Sequence, residues 1–141
     1  MKNLLVISIL FFCLTSYAQS NDNFKEFKLG DEKSLRSGIA ISPDGKTVAI
    51  AGMQSFPLFI YDWENDKIIK KFDVGNWYAG AKVDYSAKGT YLLLQQTFYN
   101  DYNPNKDREV DFEIVNSESG NIIQKINKAH SVKIANSETF Y

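Results

Sequence analysis

The stretch over residues 39–50, Ile-Ala-Ile-Ser-Pro-Asp-Gly-Lys-Thr-Val-Ala-Ile, places two apolar runs on either side of a Ser-Pro-Asp-Gly turn. Pro43 presets the backbone φ angle of an early turn position, and Gly45 allows the positive φ that a reversing chain needs. The two runs are β-branched or small and have no clean polar face. The pattern therefore predicts a β-hairpin that is buried on both of its sides.

The same arrangement recurs along the chain. The stretch that begins at Val83 repeats the one that begins at Ile39, with Gly89 aligned on Gly45, and residues 112–116 match residues 58–62. A further copy begins at residues 132–134. A repeated unit of short strands predicts an all-β fold with two consecutive four-stranded antiparallel sheets.

The first eighteen residues have the composition of a leader. Lys2 precedes an apolar run over residues 4–14, and small residues stand at the −3 and −1 positions of a cleavage point after Ala18. The run is too short to span a bilayer, so we expect a secretory signal peptide and a secreted or periplasmic protein. The alternatives are an uncleaved membrane anchor and lipidation at Cys13. Cleavage removes this cysteine, which is the chain's only one, so the mature chain forms no disulfide within itself.

The charge balance narrows the class of partner. The chain has 16 Lys and Arg residues against 17 Asp and Glu residues, which gives a net charge of −1, and it has no basic run. Nucleic acids and anionic membranes attract proteins through basic surfaces. We therefore expect no nucleic-acid partner, and no membrane partner once the signal peptide is cleaved.

Two segments carry a resemblance to a known family. Residues 58–66, Leu-Phe-Ile-Tyr-Asp-Trp-Glu-Asn-Asp, resemble the third strand and following turn of a WD repeat, with Tyr61 in the Trp place and Asp66 in the Gly place. Residues 112–120 resemble it with Val-Asn in the Trp-Asp places and a true Ser-Gly at the end. Over residues 24–141 the chain is similar to a WD-repeat-like β-propeller of secreted bacterial type.

This resemblance implies a division of the chain into blades. The segments are a signal peptide over 1–18, a tail and a strand completing a blade over 19–36, a first blade over 37–76, a second blade over 77–127, and the start of a third blade over 128–141. Two blades cannot close a ring, since propellers have four to eight. We therefore expect a longer propeller or closure by oligomerisation, and apolar surface exposed at residues 91–94.

Propeller topology gathers several aromatic residues on one rim. They lie on the connections between second and third strands and between successive blades; they are Phe56, Trp77, Tyr78, Phe98, Tyr99 and Tyr102. Such rings can stack on a sugar or hold a peptide. The alternative is that each ring fills the gap between neighbouring blades.

The longest insertion, over residues 97–109, places oxygen side chains at alternate positions. These are Asp101, Asn103, Asn105 and Asp107. The spacing is that of the start of a calcium loop, although Lys106 replaces the glycine of the sharp turn and Phe112 replaces the closing glutamate. The alternative is a polar loop that needs only turn chemistry, and we expect no other cofactor.

Catalytic signals are few. His130 is the only histidine, and the sequence contains no nucleophile elbow, no zinc-binding His-Glu-x-x-His and no phosphate-binding glycine loop. Asp44 and Asp62 are expected to bond the backbone of their own turns. We therefore predict a non-enzymatic module that binds a protein, peptide or glycan. The alternative, implied by similarity to prolyl-oligopeptidase-like peptidases, is an accessory propeller of a secreted hydrolase with its catalytic domain outside this chain.

Overall fold

The computed structural model describes residues 36–53, 57–98 and 108–139, and within these ranges the chain forms eight β-strands and no helix. In chain order the strands are β1 (Arg36–Ile41), β2 (Thr47–Gly52), β3 (Leu58–Asp62), β4 (Lys67–Phe72), β5 (Ala81–Tyr85), β6 (Tyr91–Gln96), β7 (Val110–Asn116) and β8 (Ile122–Ala129). The predicted signal peptide and the predicted strand of the N-terminal tail lie outside the described residues. No helix within the described residues has the length and apolar character needed to cross a membrane.

The strands form two four-stranded antiparallel sheets. Sheet A has the order β1-β2-β3-β4, and sheet B has the order β5-β6-β7-β8. Each sheet is a meander, in which every strand pairs with its neighbour in sequence. The prediction of an all-β fold with two consecutive four-stranded sheets is confirmed, and each sheet coincides with one copy of the sequence repeat.

The first hairpins of the two sheets close in the same way. In sheet A the Ser42 N–H donates to the Thr47 carbonyl over 2.9 Å, and the Gly45 N–H donates to the Ser42 carbonyl over 2.8 Å. In sheet B, Ser86 and Gly89 make the corresponding bonds. Gly45 and Gly89 have φ angles of 72° and 79°, so both adopt the left-handed conformation that the sequence predicts for Gly45.

A third turn of this kind follows β8. The Glu138 N–H donates to the Ala135 carbonyl over 2.8 Å, as the Gly45 N–H does to the Ser42 carbonyl. Glu138 has a φ angle of 63°, so it occupies the left-handed position that glycine holds in the other two turns. Residues with a β-carbon adopt this conformation at an energetic cost. The backbone pattern of the repeat therefore continues past sheet B.

The two sheets pack face to face across an apolar core. Its buried members are Ala49, Ala51, Leu58 and Ile60 from sheet A, Ala81, Val83, Leu92, Leu94 and Val115 from sheet B, and Val74 from the connection between them. The alanines of β2 and two of the three leucines of β6, Leu92 and Leu94, belong to this one cluster. Small side chains on one sheet thus accommodate large ones on the other at close range.

The inner strands β1 and β5 approach each other closely at Gly38. A β-carbon at this position would lie 2.6 Å from the Ala81 carbonyl oxygen and 2.9 Å from the Lys82 Cα. Both are backbone atoms, so no side-chain rotation can relieve the contact. The absence of a side chain at Gly38 therefore allows β1 to lie directly against β5.

The outer face of sheet B is covered by residues that follow β8. The cluster there consists of Val110, Phe112, Ile114 and Val132, with Tyr91, Leu93 and Ile134 among the residues packed against it. The expectation that residues 91–94 expose apolar surface is therefore wrong. Leu92 and Leu94 are fully buried between the sheets, and the third copy of the repeat covers the opposite side.

The outer face of sheet A is only partly covered. Ile50, Phe59 and Tyr61 are buried on it, but Ile39 and Ile41 are 69% and 68% exposed. The prediction that the first hairpin is buried on both sides holds for β2 and is wrong for β1. One face of β1 rests on sheet B, and the isoleucines on its other face contact solvent.

A buried carboxylate fixes the connection between the sheets. Glu113 of β7 accepts the Gly75 N–H over 2.7 Å, and its other oxygen pairs with the Lys125 ammonium over 2.9 Å. Glu113 is buried, whereas Lys125 is largely exposed. Because a buried charge is costly unless it is paired, these two partners explain how β7 tolerates a glutamate on its inner face.

We predict that Gly38→Ala lowers the free energy of unfolding by about 1–3 kcal/mol, because the new methyl group forces β1 away from β5. Urea unfolding followed by circular dichroism measures this change. Gly45→Asn is the control, since no atom lies within 4 Å of a β-carbon there and asparagine tolerates a left-handed backbone. Equal stability of the Gly38→Ala and wild-type chains would contradict the close contact.

Candidate functional site

Strand direction divides the connections between two rims. In a meander, successive connections lie at alternate ends of the sheet. We call the end with the β2–β3, β4–β5 and β6–β7 connections the upper rim, and the end with the remaining turns the lower rim. Of the aromatic residues that the sequence predicts for one rim, the three that the structure describes, Trp77, Tyr78 and Phe98, belong to the upper rim.

On the lower rim, a serine and an aspartate close the first turn. The Ser42 Oγ accepts the Thr47 N–H over 2.9 Å and donates to Asp44 Oδ1 over 2.6 Å. Asp44 Oδ1 also accepts the Lys46 N–H over 3.1 Å. The bond from Ser42, followed by the one from Lys46, lowers the pKa of Asp44. The prediction that Asp44 caps its own turn is confirmed.

Asp62 and its counterpart in sheet B close the turns between the third and fourth strands. Asp62 accepts the Asn65 N–H over 3.0 Å and the Asn65 side-chain amide over 2.8 Å. Asn116 accepts the Ser119 N–H over 2.8 Å. The prediction that Asp62 bonds the backbone is confirmed. In sheet B the Asn116 amide oxygen accepts the equivalent hydrogen bond.

The first of these turns also holds the tyrosine that stands in the Trp place. The Tyr61 hydroxyl donates to the Asp66 carboxylate. Burial, together with this bond, raises the pKa of Tyr61 to about 12. Asp66 has a φ angle of 53°, which is the left-handed conformation expected of a residue in the Gly place.

The β5–β6 turn completes itself with a residue from the third copy. Lys88 stands where the first turn has Asp44, so this turn has no carboxylate of its own. Glu138 Oε1 takes its place, accepting the Ser86 hydroxyl over 2.6 Å and the Lys88 N–H over 3.2 Å. The bond from Ser86 contributes most to lowering the pKa of Glu138. The third copy is thus joined to the second by a hydrogen-bonded carboxylate.

We predict that the chain loses stability as the pH falls through the acidic range. The pKa values of Asp44 and Glu138 in the folded chain lie below their ordinary values of 3.8 and 4.5. Each carboxylate therefore stabilises the folded chain above its ordinary pKa, and this stabilisation is lost as the pH falls through its folded pKa. Urea midpoints measured between about pH 7 and pH 3 test this. We expect Glu138→Gln to lose less stability between these pH values than the wild type does. Glu118→Gln is the control: it changes an exposed partner of Lys70, and we expect it to lose as much stability as the wild type. A Glu138→Gln profile identical to that of the wild type would contradict the role of Glu138.

The upper rim carries a shallow depression of about 350 Å³, which we call the upper-rim depression. The described residues that line it are Tyr78, Ala79, Gln96, Thr97, Phe98 and Arg108. Thr97 makes two hydrogen bonds within it. The Thr97 hydroxyl donates to the Ala79 carbonyl over 2.7 Å, and the Thr97 N–H donates to the Gly80 carbonyl over 3.0 Å. These bonds join the end of β6 to the connection between the sheets.

The predicted aromatic residues take different roles. Trp77 is half-buried and packs against the core between the sheets, so its position supports the packing interpretation. Tyr78, the next residue, is 73% exposed and lines the upper-rim depression. Phe98 also lines it and packs on the outer cluster of sheet B. The predicted rim residues Phe56, Tyr99 and Tyr102 lie outside the described residues.

Three polar residues of the depression were missed by the sequence reasoning. Gln96 Oε1 accepts the Asp111 N–H over 3.2 Å, and the Arg108 guanidinium carbon lies 4.7 Å from the centre of the Phe98 ring. With Thr97, these residues stand at the two ends of the 97–109 insertion. The two ends of a connection between paired strands lie close together. The bounds of the insertion in the sequence could therefore have identified these three residues.

The proposed calcium ligands Asp101, Asn103, Asn105 and Asp107 lie outside the described residues. Within the described ranges, no group of three or more His, Cys, Asp or Glu side chains is arranged to hold a metal ion. His130 lies beside the same rim, with its Nε2 atom 3.9 Å from Glu109 Oε1, and both side chains are more than half exposed.

No family model matches this chain, and no curated protein matches it. Among solved structures, the chain is similar in fold to Kuenenia stuttgartiensis hydrazine synthase, with a TM-score of 0.55 and 22% sequence identity. The similarity covers 77% of this chain and 28% of that one, so this chain spans less than a third of its length. At this identity the likeness concerns the fold alone.

Proposed function

We propose that this chain is a non-catalytic interaction module of the WD-repeat-like β-propeller type, exported to the periplasm or beyond the cell. Its sheets act as blades of a longer stack, completed by further blades or by oligomer partners. The upper rim of the stack binds a protein, peptide or glycan ligand. Two repeated sheets stacked in chain order and a third turn of the same pattern support this proposal.

The exposure of one repeated position carries the proposal. Ile39, Val83 and Val132 occupy the same place in the three copies of the repeat. Val83 is 3% exposed and Val132 is 9% exposed, because each packs against the sheet of the preceding copy. Ile39 is 69% exposed. This place in the repeat is thus covered by a preceding copy in the second and third copies and is exposed in the first. Exposed apolar surface of this kind marks a surface for association.

The exposed surface around Ile39 extends over two neighbouring strands. Ile39 pairs with Ile50, and Ile41 pairs with Val48, so the apolar residues of β1 and β2 form one continuous strip. Lys71 lies over the Phe59 ring at 5.3 Å, on the neighbouring strands of the same sheet. Interfaces between proteins have an apolar centre and a polar rim. The apolar strip, with the Lys71 ammonium beside it, matches this arrangement and suits contact with another sheet.

We predict that the purified chain associates with itself in a concentration-dependent way, because Ile39 and Ile41 expose apolar surface that needs a cover. Sedimentation velocity measures this association. The double variant Ile39→Lys and Ile41→Lys is expected to remain folded and to sediment as a monomer. Ile123→Lys is the matched control, because Ile123 is an exposed isoleucine on β8, away from this strip.

Two results would contradict the proposal. One is a wild-type chain that is a folded monomer at every concentration, with a heat capacity of unfolding normal for its size. The other is association that Ile123→Lys abolishes and the double variant leaves unchanged. In both cases the surface of β1 would not be an interface.

A further inference from the structure

We propose that residues 131–139, which we call the cover, form a switch on the outer face of sheet B that the Glu138 carboxylate holds closed and that acid opens. The inference goes beyond the proposed function and does not depend on the surface at Ile39. It rests on where the cover is bonded, on the backbone of its turn and on the apolar cluster beneath it.

One carboxylate makes the polar attachment of the cover. Among the described residues, every hydrogen bond between the cover and sheet B ends on Glu138. Its Oε1 atom accepts the Ser86 hydroxyl over 2.6 Å and the Lys88 N–H over 3.2 Å. The Ala135 N–H, by contrast, donates within the cover, to the Thr139 carbonyl over 2.8 Å. Because hydrogen bonds to a charged group are stronger than those to a neutral one, loss of charge at Glu138 weakens the whole polar attachment.

The backbone of the turn opposes closure once this charge is lost. Glu138 has a φ angle of 63°, in the place where the two preceding copies have Gly45 and Gly89. A residue with a β-carbon adopts this left-handed conformation at an energetic cost that glycine does not have. In the closed cover the bonds of the carboxylate offset this cost. Glu138 therefore couples a strained backbone to a group that acid neutralises.

The groups around Glu138 stabilise its charged form. The Ser86 hydroxyl contributes most to lowering its pKa below the ordinary value of 4.5, and the Thr90 hydroxyl and the charge of Lys88 act in the same direction from the β5–β6 turn. On the cover itself, Lys133 is exposed. Because the folded pKa is depressed, the bonds are at full strength above pH 4.5 and are lost as the pH falls through the folded pKa.

Opening of the cover exposes apolar residues that are buried in the closed form. Val132 is 9% exposed and, with Ile134, packs on the cluster of Val110, Phe112 and Ile114. The core between sheets A and B contains no described residue of the cover. The cover can therefore open while the two sheets stay folded, and opening presents the outer face of sheet B to solvent.

Amide hydrogen exchange of the purified chain tests the inference, measured by nuclear magnetic resonance between about pH 7 and pH 3 and expressed relative to an unstructured chain at the same pH. The Ala135 and Glu138 N–H groups report on the cover, because both are bonded within its turn. We expect their protection to fall about threefold or more in acid, while Ala49 in β2 and Leu93 in β6 keep theirs. The fluorescence of anilinonaphthalene sulfonate, a dye that binds exposed apolar surface, is expected to rise over the same range.

Three variants separate the charge of Glu138 from its backbone. Glu138→Gly keeps the left-handed turn without the carboxylate, so we expect the protection of its turn to be independent of pH. Glu138→Gln keeps the backbone cost without the charge, and we expect its cover to be open already at pH 7. Glu118→Gln, which changes an exposed carboxylate on the β7–β8 turn, is the matched control and is expected to open in acid as the wild type does.

Three results would overturn the inference. Protection that falls together at Ala135 and Ala49 would show that acid unfolds the cover and the sheets as one unit. Protection at Ala135 that does not change in acid would show that the carboxylate does not hold the cover. A Glu138→Gly chain that opens in acid as the wild type does would show that another group is responsible. None of these results bears on association through Ile39, which sedimentation tests separately.

Discussion

The contact between β1 and β5 holds the two sheets together, and it depends on a residue without a side chain. At Gly38 the backbones of the two strands are so close that a β-carbon would overlap backbone atoms of β5. This approach lets the alanines of β2 and two of the three leucines of β6 share one core. The lower-rim turns are brought together as well, since Pro43 lies 3.3 Å from the β-carbon position of Gly89. Glu113 then fixes the connection between the sheets by accepting the Gly75 N–H.

Local sequence patterns were sufficient to predict the strands and their order. The Ser-Pro-Asp-Gly turn and its repeat at Gly89 specify the reversals, because few residues adopt a left-handed backbone without cost. The resemblance of residues 58–66 to a WD repeat also implied that Asp66 stands in the Gly place, and its φ angle of 53° agrees. Turn caps such as Asp44 and Asp62 could be predicted because each acts on a backbone group within three residues of itself.

Features that depend on stacking could not be read from local patterns. Glu138 completes a turn 50 residues away, because Lys88 has replaced the local carboxylate, and nothing near Ser86 in sequence reveals this. Trp77 and Tyr78 are adjacent aromatic residues, yet one packs on the core and the other is exposed, which depends on the path of the connection between the sheets. Ile39 and Val83 are equivalent in sequence, and only the neighbour of each sheet decides which of them is buried.

Residue-resolved urea unfolding by nuclear magnetic resonance tests the central claim, that the sheets are stable because each copy covers the next. If the shared core makes sheets A and B one cooperative unit, the amides of Ala49 in β2 and Leu93 in β6 lose their native signals at the same urea concentration. The amide of Glu138 in the third turn follows them, because its carboxylate is bonded to Ser86. Separate midpoints for Ala49 and Leu93 would show that each sheet folds on its own and would contradict the account.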